Sequence, residues 1–340
     1  INIIFFMKDA DLGTRDKRGF WKPKELINYG PLFSFPTHLL KILSWLFLYP
    51  GFIFPWGAFF IVLSAILWLY LTPSFETLKY FSFDWILFIF VRNLILISCL
   101  WGILHFRLYS KQKQRTEYKY NSQFQSKPNK TFLFKKQTYD NMFWSLCSGV
   151  PIWSAYEVFA LWAYANGFFP TITWEGNPFY FILLTILLVN MWHEIHFYFT
   201  HKLIHWGPLY KFVHSLHHKN TNPGPWSGIA MHPIEHLIYF SGVLIYFFIP
   251  VHPFHAIFHL TKVAIGPGLS HSGFHKLSVG NESTVNTKHY LHYLHHRYFE
   301  CNYGAGLDGA ILPLDKWVGT FHDGSNEAQE RMVNKLRESD

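Results

Sequence analysis

The chain has 340 residues, of which half are hydrophobic and a fifth aromatic, and its formal net charge is +8. Mean hydropathy is only +0.09, too low for a chain that lies wholly in a membrane. The apolar residues nevertheless form long runs almost free of charge, which indicates an integral membrane protein with a substantial polar part. The basic residues flank these runs, so the charge does not indicate a nucleic-acid partner. The three cysteines are far apart and indicate neither a disulfide framework nor a thiolate metal site.

Composition divides the chain into four parts. Residues 1–38 are predicted to be a basic leader at a membrane surface, and residues 39–141 an N-terminal membrane region with two spans and a basic loop. Residues 142–325 contain nearly all of the histidines and are predicted to be the catalytic domain. Residues 326–340 form a polar C-terminal tail.

Four apolar segments approach the roughly 20 residues that a membrane-crossing helix needs, and they are residues 56–71, 85–104, 142–165 and 179–200. Arg92 lies in the middle of the second segment. A charge at that depth costs about 2.5–3.5 kcal/mol, so Arg92 is expected to snorkel or to find a partner inside the helix bundle. The loop 105–138 carries nine Lys or Arg residues against one acid, which places it on the cytosolic or matrix side.

The apolar segment from Leu237 to Leu260 is split by Pro250 and Pro253. Each half would span roughly 18 Å of helix, less than the roughly 30 Å of hydrocarbon in a bilayer. The pattern therefore predicts a hairpin that dips into the membrane and returns, keeping all the histidine boxes on one side. Three histidines near the bend are expected to contact lipid headgroups, and they are His252, His255 and His259.

Eighteen of the 21 histidines lie between His193 and His296. Ten of them recur in four boxes at offsets of three and four residues: His201 and His205; His214, His217 and His218; His271 and His275; His292, His295 and His296. On a helix these offsets place side chains on one face. Imidazoles aligned in this way can converge on a metal ion.

The number of imidazoles favours two metal ions over one. A tetrahedral zinc needs three or four ligands, whereas two octahedral ions offer about twelve positions, of which ten nitrogens would leave about two for water or dioxygen. Imidazole suits iron, zinc and copper, so the ligands alone do not exclude zinc. Iron is favoured by location, because a site beside apolar helices is placed to act on lipid C–H bonds, which need an oxidant.

A ligating histidine usually gives its other N–H group to a carboxylate or a carbonyl. Five polar residues near the boxes are therefore expected to orient the ligands: Glu194, His232, Glu235, His236 and Asn302.

The boxes HxxxH, HxxHH and HxxHH resemble those of the fatty acid hydroxylase superfamily, which includes sterol desaturases, sterol methyl oxidases and sphingolipid fatty acid hydroxylases. Residues 222–236, the His271-Ser-Gly element, residues 292–304 and residues 314–320 are similar to family segments as well. Lys202 stands where the family usually has Arg, and Leu291 where some sterol-acting members have an additional His. The segment 140–153 resembles bacterial-type sterol desaturase-like proteins.

The resemblance implies a dioxygen-dependent di-iron oxidoreductase that hydroxylates or desaturates a membrane lipid, with a sterol favoured. All ten box histidines would be ligands, and electrons would come from a cytochrome b-type carrier and a reductase. The expected fold is all-α, with about four transmembrane helices, a re-entrant hairpin and a cytosolic-side helical cap that holds the two metals. The expected compartment is the endoplasmic reticulum in a eukaryote, with the mitochondrial inner membrane or a bacterial membrane as alternatives.

Two other functions remain open from the sequence. A catalytically retired relative would serve as a structural subunit of a larger membrane assembly with other membrane subunits as partners, although every box is intact. A zinc carrier or zinc hydrolase is the third reading. Neither the substrate nor the choice between hydroxylation and desaturation follows from the residues.

Overall fold

A computed structural model describes residues 9–24, 29–33, 35–125, 128–280, 283–304 and 310–339. The helices are α1 (Leu39–Phe47), α2 (Ile53–Tyr70), α3 (Phe83–Ser110), α4 (137–165), α5 (Pro178–Ile204), α6 (207–218), α7 (Pro233–Phe247), α8 (Pro253–Ile265), α9 (Tyr290–Tyr298), α10 (Leu314–Val318) and α11 (Asn326–Ser339). Single helical turns lie at Asp9–Leu12, Pro31–Phe33, Phe75–Leu78, Pro225–Ser227 and Pro267–Ser270. Two antiparallel hairpins pair β1 (Gly13–Arg15) with β2 (Trp21–Pro23) and β3 (Lys276–Val279) with β4 (Ser283–Asn286). The predicted all-α class is confirmed.

Among the described residues, three helices are long and apolar enough to cross a membrane, and the protein is a membrane protein. These are α2, α3 and α5, with 18, 28 and 27 residues. They coincide with the first, second and fourth predicted spans. Helix α4 covers the third predicted span and is equally long, but it contains the buried acids Asp140 and Glu157 and is not among the three. The crossing by α4 therefore stays a prediction.

Arg92 has its partner inside the helix bundle, as expected. Its guanidinium bonds to Glu157 of α4 and donates from Nη1 to Leu71 O at 2.8 Å. Asn93 Nδ2 donates to the second oxygen of Glu157 at 2.9 Å. The Arg92 and Glu157 side chains are only 5% and 2% exposed. The pair joins α3 to α4 at a depth where an isolated charge would be costly.

Helices α7 and α8 form the predicted hairpin. They contain 15 and 13 residues, about 22 and 20 Å of helix, so neither crosses the hydrocarbon alone. The expectation that the histidines near the bend contact headgroups is wrong for His255 and His259, which are 0% and 3% exposed. His255 Nε2 lies 3.1 Å from Thr185 Oγ1, because α8 is packed inside the bundle.

Residues 9–24 of the predicted leader fold onto the domain, and the position of the leader at a membrane surface stays a prediction. Trp21 of β2 is 2% exposed, and its ring lies 6.2 Å from that of Tyr118 and 5.2 Å from that of His275. Burial of these aromatic rings fixes the hairpin over the third histidine box. Residues 1–8, 25–28 and 34 of the predicted leader lie outside the described residues.

Lys119 anchors the basic loop that follows α3. Its side chain is fully buried, and Nζ donates to Asn121 O at 2.9 Å, Gln123 O at 3.0 Å and Asn222 Oδ1 at 3.3 Å. The same ammonium lies 5.2 Å from the ring centre of Phe124. Within the part of the chain that the structure describes, these contacts satisfy the buried cation without a carboxylate. They also tie the loop to the segment before the third box.

Candidate metal centre

Four elements carry the box histidines to one place. His201 lies in the last turn of α5 and His205 directly follows that helix. The second box occupies the last two turns of α6, and the fourth box lies on α9. His271 follows the turn Pro267–Ser270. All ten box histidines are buried, and the largest exposed fraction is 9%. The helical hairpin of α7 and α8 thus brings the third box to the same end of the bundle as the first two.

Nine of the ten histidines form two groups in which the ring nitrogens lie within 4.8 Å of one another. The first group, called site A, is His201, His205, His214, His218 and His295. The second group, called site B, is His217, His271, His292 and His296.

The spacing within site B fits a shared metal ion better than a hydrogen-bond network. His271 Nε2 lies 3.3 Å from His217 Nε2, 3.0 Å from His296 Nε2 and 2.9 Å from His292 Nε2. A ring nitrogen has one proton or one lone pair, so it cannot bond to three nitrogens at once. At a metal–nitrogen distance of about 2.1 Å, ligands at right angles are about 3.0 Å apart. The residues present therefore fit a metal ion.

Site A has the same spacing. His218 Nε2 lies 3.1 Å from His205 Nε2 and 3.0 Å from His295 Nε2. His214 Nε2 is buried and has no hydrogen-bond partner among the described residues. A buried polar atom without a partner is costly, and a metal ion in site A would satisfy it.

Helix geometry explains how each HxxHH box divides between the two sites. The histidines of an HxxHH box are residues i, i+3 and i+4. At about 100° per residue, residues i and i+4 lie about 40° apart around the helix, and residue i+3 lies about 60° from residue i on the opposite side. On α6 the pair His214 and His218 belongs to site A, and His217 to site B. On α9 the pair His292 and His296 belongs to site B, and His295 to site A.

His275 belongs to neither site. Its Nδ1 lies 3.2 Å from Tyr120 Oη, and its ring packs against Trp21. The offset of four residues from His271 would place both imidazoles on one face of a helix, but this segment is a turn in which Gly273 has φ +80°. The pattern alone did not reveal that the third box is not helical.

The nitrogens that face away from the metal sites are held by oxygen acceptors. His201 Nδ1 donates to Tyr303 O at 2.9 Å, and His295 Nδ1 donates to Cys301 O at 2.6 Å. His271 Nδ1 donates to Pro267 O at 3.0 Å. His214 Nδ1 donates to Glu235 Oε1 at 2.8 Å. Each contact fixes the tautomer that leaves Nε2 as a lone-pair donor, which is the arrangement that metal-ligating histidines use.

Burial keeps these imidazoles neutral. It lowers the pKa of His271 to about 4, and together with the neighbouring imidazoles it holds the pKa values of His217 and His292 well below their usual range. The same causes lower the pKa values of His218 and His296. A neutral imidazole is the form that binds a metal.

Five residues were expected to orient the ligands. In the described part of the chain, only Glu235 of these five forms a hydrogen bond with a box histidine. Glu194 accepts hydrogen bonds from Ile311 N at 3.0 Å and Leu312 N at 2.8 Å. His232 caps α7 by accepting from Ile234 N at 3.2 Å.

The other two also act within the scaffold. His236 is fully buried, and its two nitrogens lie 3.0 Å from Ser148 Oγ and 3.0 Å from Ile229 O. Asn302 Nδ2 donates to His322 O at 2.8 Å, and its Oδ1 accepts from His322 N at 2.9 Å.

The residues after α9 contribute more than the sequence indicated. Glu300 Oε1 lies 3.8 Å from His205 Nδ1, and Glu300 Oε2 accepts from Tyr303 Oη at 2.6 Å. The Tyr303 ring lies 4.9 Å from the His205 ring. Asp315 holds this loop by accepting from Tyr303 N at 2.8 Å and from Thr320 Oγ1 at 2.7 Å. The backbone carbonyls of Cys301 and Tyr303, which hold His295 and His201, also lie in this segment. No pattern of side chains in the sequence indicates such carbonyls.

A cavity of about 1440 Å³, its open mouth included, reaches both metal sites. Its lining contains His201 and His214 of site A and His217, His271 and His292 of site B. Most of the wall is apolar, with Phe60, Phe197, Met231, Tyr239 and Phe258 among the lining residues. Sites that bind small molecules typically have apolar walls with a few polar groups. The histidines of both sites therefore share one largely apolar cavity.

Comparison with known proteins places this arrangement in a family. The profile of the Fatty acid hydroxylase family matches residues 186–320. The Delta(7)-sterol 5(6)-desaturase ERG3B of Gibberella zeae is 32% identical over 126 residues, which are 36% of this chain and 38% of that protein.

Two further relatives are similar over shorter shares of their length. The Delta(7)-sterol 5(6)-desaturase of Candida glabrata is 29% identical over 136 residues, 39% of this chain and 36% of that protein. The methylsterol monooxygenase erg25B of Aspergillus fumigatus is 37% identical over 65 residues, 19% of this chain and 21% of that protein. The chain thus spans less than half of each of these relatives. No solved structure matches the chain.

The matched range contains all four boxes, both metal sites and the loop that holds His201 and His295. The predicted resemblance is confirmed over this range: residues 186–320 match the Fatty acid hydroxylase family, and sterol desaturases are among the similar proteins.

Proposed function

We propose that the protein is a membrane-bound oxygenase that uses two iron ions and dioxygen to hydroxylate or desaturate a C–H bond of a membrane lipid. The observation that supports this most directly is the opening of both histidine sites onto one large apolar cavity. A largely apolar wall favours a lipid chain over the polar substrate that a zinc hydrolase would bind.

Nine histidines would hold the metals, five at site A and four at site B. Bound iron would supply the oxidising chemistry, with dioxygen as oxidant and two electrons from a donor. Three of about twelve octahedral positions would then be left for dioxygen or water. The protein's own part is to keep the imidazoles neutral, to fix their tautomers through Glu235 and the carbonyls, and to hold an apolar substrate beside them.

The proposed substrate is a sterol, and the proposed electron source is a cytochrome b-type carrier with its reductase. Support for a sterol comes from the names of the relatives and from the resemblance of residues 292–304 to sterol-acting proteins. The reaction consumes one dioxygen, two electrons and two protons. Hydroxylation forms an alcohol and one water, and desaturation forms an alkene and two waters. The endoplasmic reticulum membrane is the proposed location in a eukaryotic cell.

Metal content and lipid oxidation together test this function. The full chain, purified in detergent, is expected to hold two irons and, with a reductant and isotopically labelled dioxygen, to convert a sterol to a product with an added oxygen atom or a new double bond. Zinc in place of iron, with no oxidation after iron is restored, would favour a carrier or a hydrolase. Normal folding with less than one iron per chain would favour a structural subunit.

The third box provides a matched pair of variants. His271→Ala removes a nitrogen with three close neighbours in site B, whereas His275→Ala removes one that belongs to neither site. The first variant is expected to lose the metal of site B and the second to keep both. Equal loss in the two variants would restore His275 to the ligand set.

A further inference from the structure

The cavity has a second polar region far from the metals. Lys262 of α8 and Asn190 of α5 both line it, and Lys262 Nζ donates to Asn190 Oδ1. His193, less than one turn further along α5, lines the cavity as well. Asn190 lies twelve residues after the start of α5 and fourteen before its end, so this cation lies near the middle of a membrane-spanning helix.

Lys262 has more donors than the protein uses. An ammonium group has three N–H donors, and among the described residues its one hydrogen-bond partner is Asn190 Oδ1. Asn190 is itself fixed, because its Nδ2 donates to Ile186 O at 2.9 Å and to Thr185 O at 3.2 Å. A charge at this depth costs about 2.5–3.5 kcal/mol and usually marks a functional position. The cavity is where an acceptor for the remaining donors would enter.

The charge balance favours a neutral acceptor. Glu194, one turn beyond Asn190 on α5, is close enough to Lys262 to interact with it electrostatically. The carboxylate and the ammonium together sum to zero, so a second anion would be left uncompensated in an apolar wall. A hydroxyl group fits better, since its oxygen accepts from Lys262. Its proton can be donated to His193, for which the described residues offer no other hydrogen bond.

The distance to the metals follows from the helix. Asn190 precedes His201 by eleven residues on α5, which corresponds to about 16 Å along the axis. Since one cavity includes both ends of this stretch, a single elongated molecule can reach from Lys262 to site A and site B.

We propose that Lys262, positioned by Asn190, binds the hydroxyl end of an otherwise apolar lipid, so that the metals meet the opposite end of the molecule. This proposal rests on the proposed oxygenase function and specifies its substrate orientation. In a rod-shaped sterol, the ring bonds next to the hydroxyl would lie far from the histidines, and the side-chain end would lie beside them. This orientation differs from the one that oxidation of the 5(6) bond, named for two relatives, would require.

Binding without turnover tests the anchor independently of any oxidation. Competition against radiolabelled cholesterol is measured on the full chain in lipid nanodiscs, without dioxygen or reductant. The competitors are unlabelled cholesterol, cholestane (the same skeleton without the hydroxyl) and palmitate. A charged donor on the hydroxyl makes cholesterol bind about 10- to 100-fold more tightly than cholestane. Lys262→Met keeps the length of the side chain but removes the donors, and it is expected to bring this ratio close to one.

The ratio of the two affinities separates binding from folding. A merely structural Lys262 would lower both affinities together and leave the ratio unchanged, and that result would overturn the proposal. Lys262→Gln retains an N–H donor and is expected to keep part of the preference, which guards against misfolding of the Met variant. Tighter Lys262-dependent binding of palmitate than of cholesterol would also overturn the hydroxyl assignment. If binding agrees but no oxidation occurs, the oxygenase proposal fails while the anchor stands.

The position of oxidation is a second readout in an active preparation. Cholesterol is expected to be oxidised in its side chain. Oxidation of a ring carbon beside the hydroxyl would contradict the orientation, even with the binding preference intact.

Discussion

Glu235→Gln is expected to weaken metal binding at site A and to leave site B intact. The Glu235 carboxylate accepts from His214 Nδ1 at 2.8 Å, and the two side chains are 3% and 1% exposed. Glutamine keeps the shape and one oxygen, but it removes the charge that makes the imidazole a stronger ligand. Changes of this kind cost 10- to 100-fold in metal affinity, which corresponds to about 1.4–2.8 kcal/mol.

The assay is an iron titration of the full chain against a chelator of known affinity. Wild-type protein is expected to bind two irons. The variant should lose the iron of site A at a chelator concentration 10- to 100-fold lower than the wild-type protein does. The concentration that removes the iron of site B should be unchanged, because His214 belongs to site A only. Glu76→Gln is the matched control, since Glu76 pairs with Lys79 at the surface and its side chain is 83% exposed. Equal weakening of both sites, or no weakening, would refute the reasoning.

Three further changes test the scaffold. Arg92→Met leaves the Glu157 carboxylate buried without its cation and is expected to destabilise the fold by about 3–5 kcal/mol in thermal unfolding, whereas adding Glu157→Met should recover much of the loss. Lys119→Met removes three donated hydrogen bonds and should cost about 1–3 kcal/mol, with faster amide exchange in the basic loop as the specific readout. Gly273→Ala and Gly280→Ala both place a side chain at positive φ, but the first Cβ would lie 2.6 Å from Tyr109 Oη while the second meets nothing. Gly273→Ala alone should therefore reduce metal content at site B, and equal effects would contradict this.

Much of the architecture followed from apolar length and proline placement. The hairpin of α7 and α8 was predictable because Pro250 and Pro253 divide a run too short to cross twice. The partner of Arg92 was not predictable, since Glu157 lies 65 residues away in sequence. The burial of His255 and His259 was missed for a related reason: amphipathic spacing does not show that α8 is enclosed on all sides by other helices.

The metal centre was predictable as a set of boxes and less so as a set of ligands. Offsets of three and four residues indicate a common face only where the chain is helical, which holds on α5, α6 and α9. Between His271 and His275 the positive φ of Gly273 breaks the helix, and His275 turns towards Trp21 and Tyr120. The hairpin of β1 and β2, which supplies Trp21, lies in a segment whose basic composition resembled a surface leader.

The orienting groups show the same limit. Glu194 and Glu235 both lie near histidines in sequence, yet only the second reaches a box histidine through its described hydrogen bonds. Sequence distance does not tell which side of a helix faces the metals when several acids are available. The carbonyls of Cys301 and Tyr303 carry no sequence mark, because every residue has one.

The three-histidine boxes are what join the two sites into one centre. If each box contained only a pair four residues apart, α6 would serve site A and α9 would serve site B, and nothing would fix the separation of the sites. The middle histidine of each box crosses over instead: His217 joins site B and His295 joins site A. Each helix therefore contributes to both sites, and a rigid helix fixes the distance between its own side chains. Both α6 and α9 therefore fix the distance between the two sites, α6 through His217 and α9 through His295. A reaction that needs both metals at one substrate carbon would require such a fixed distance.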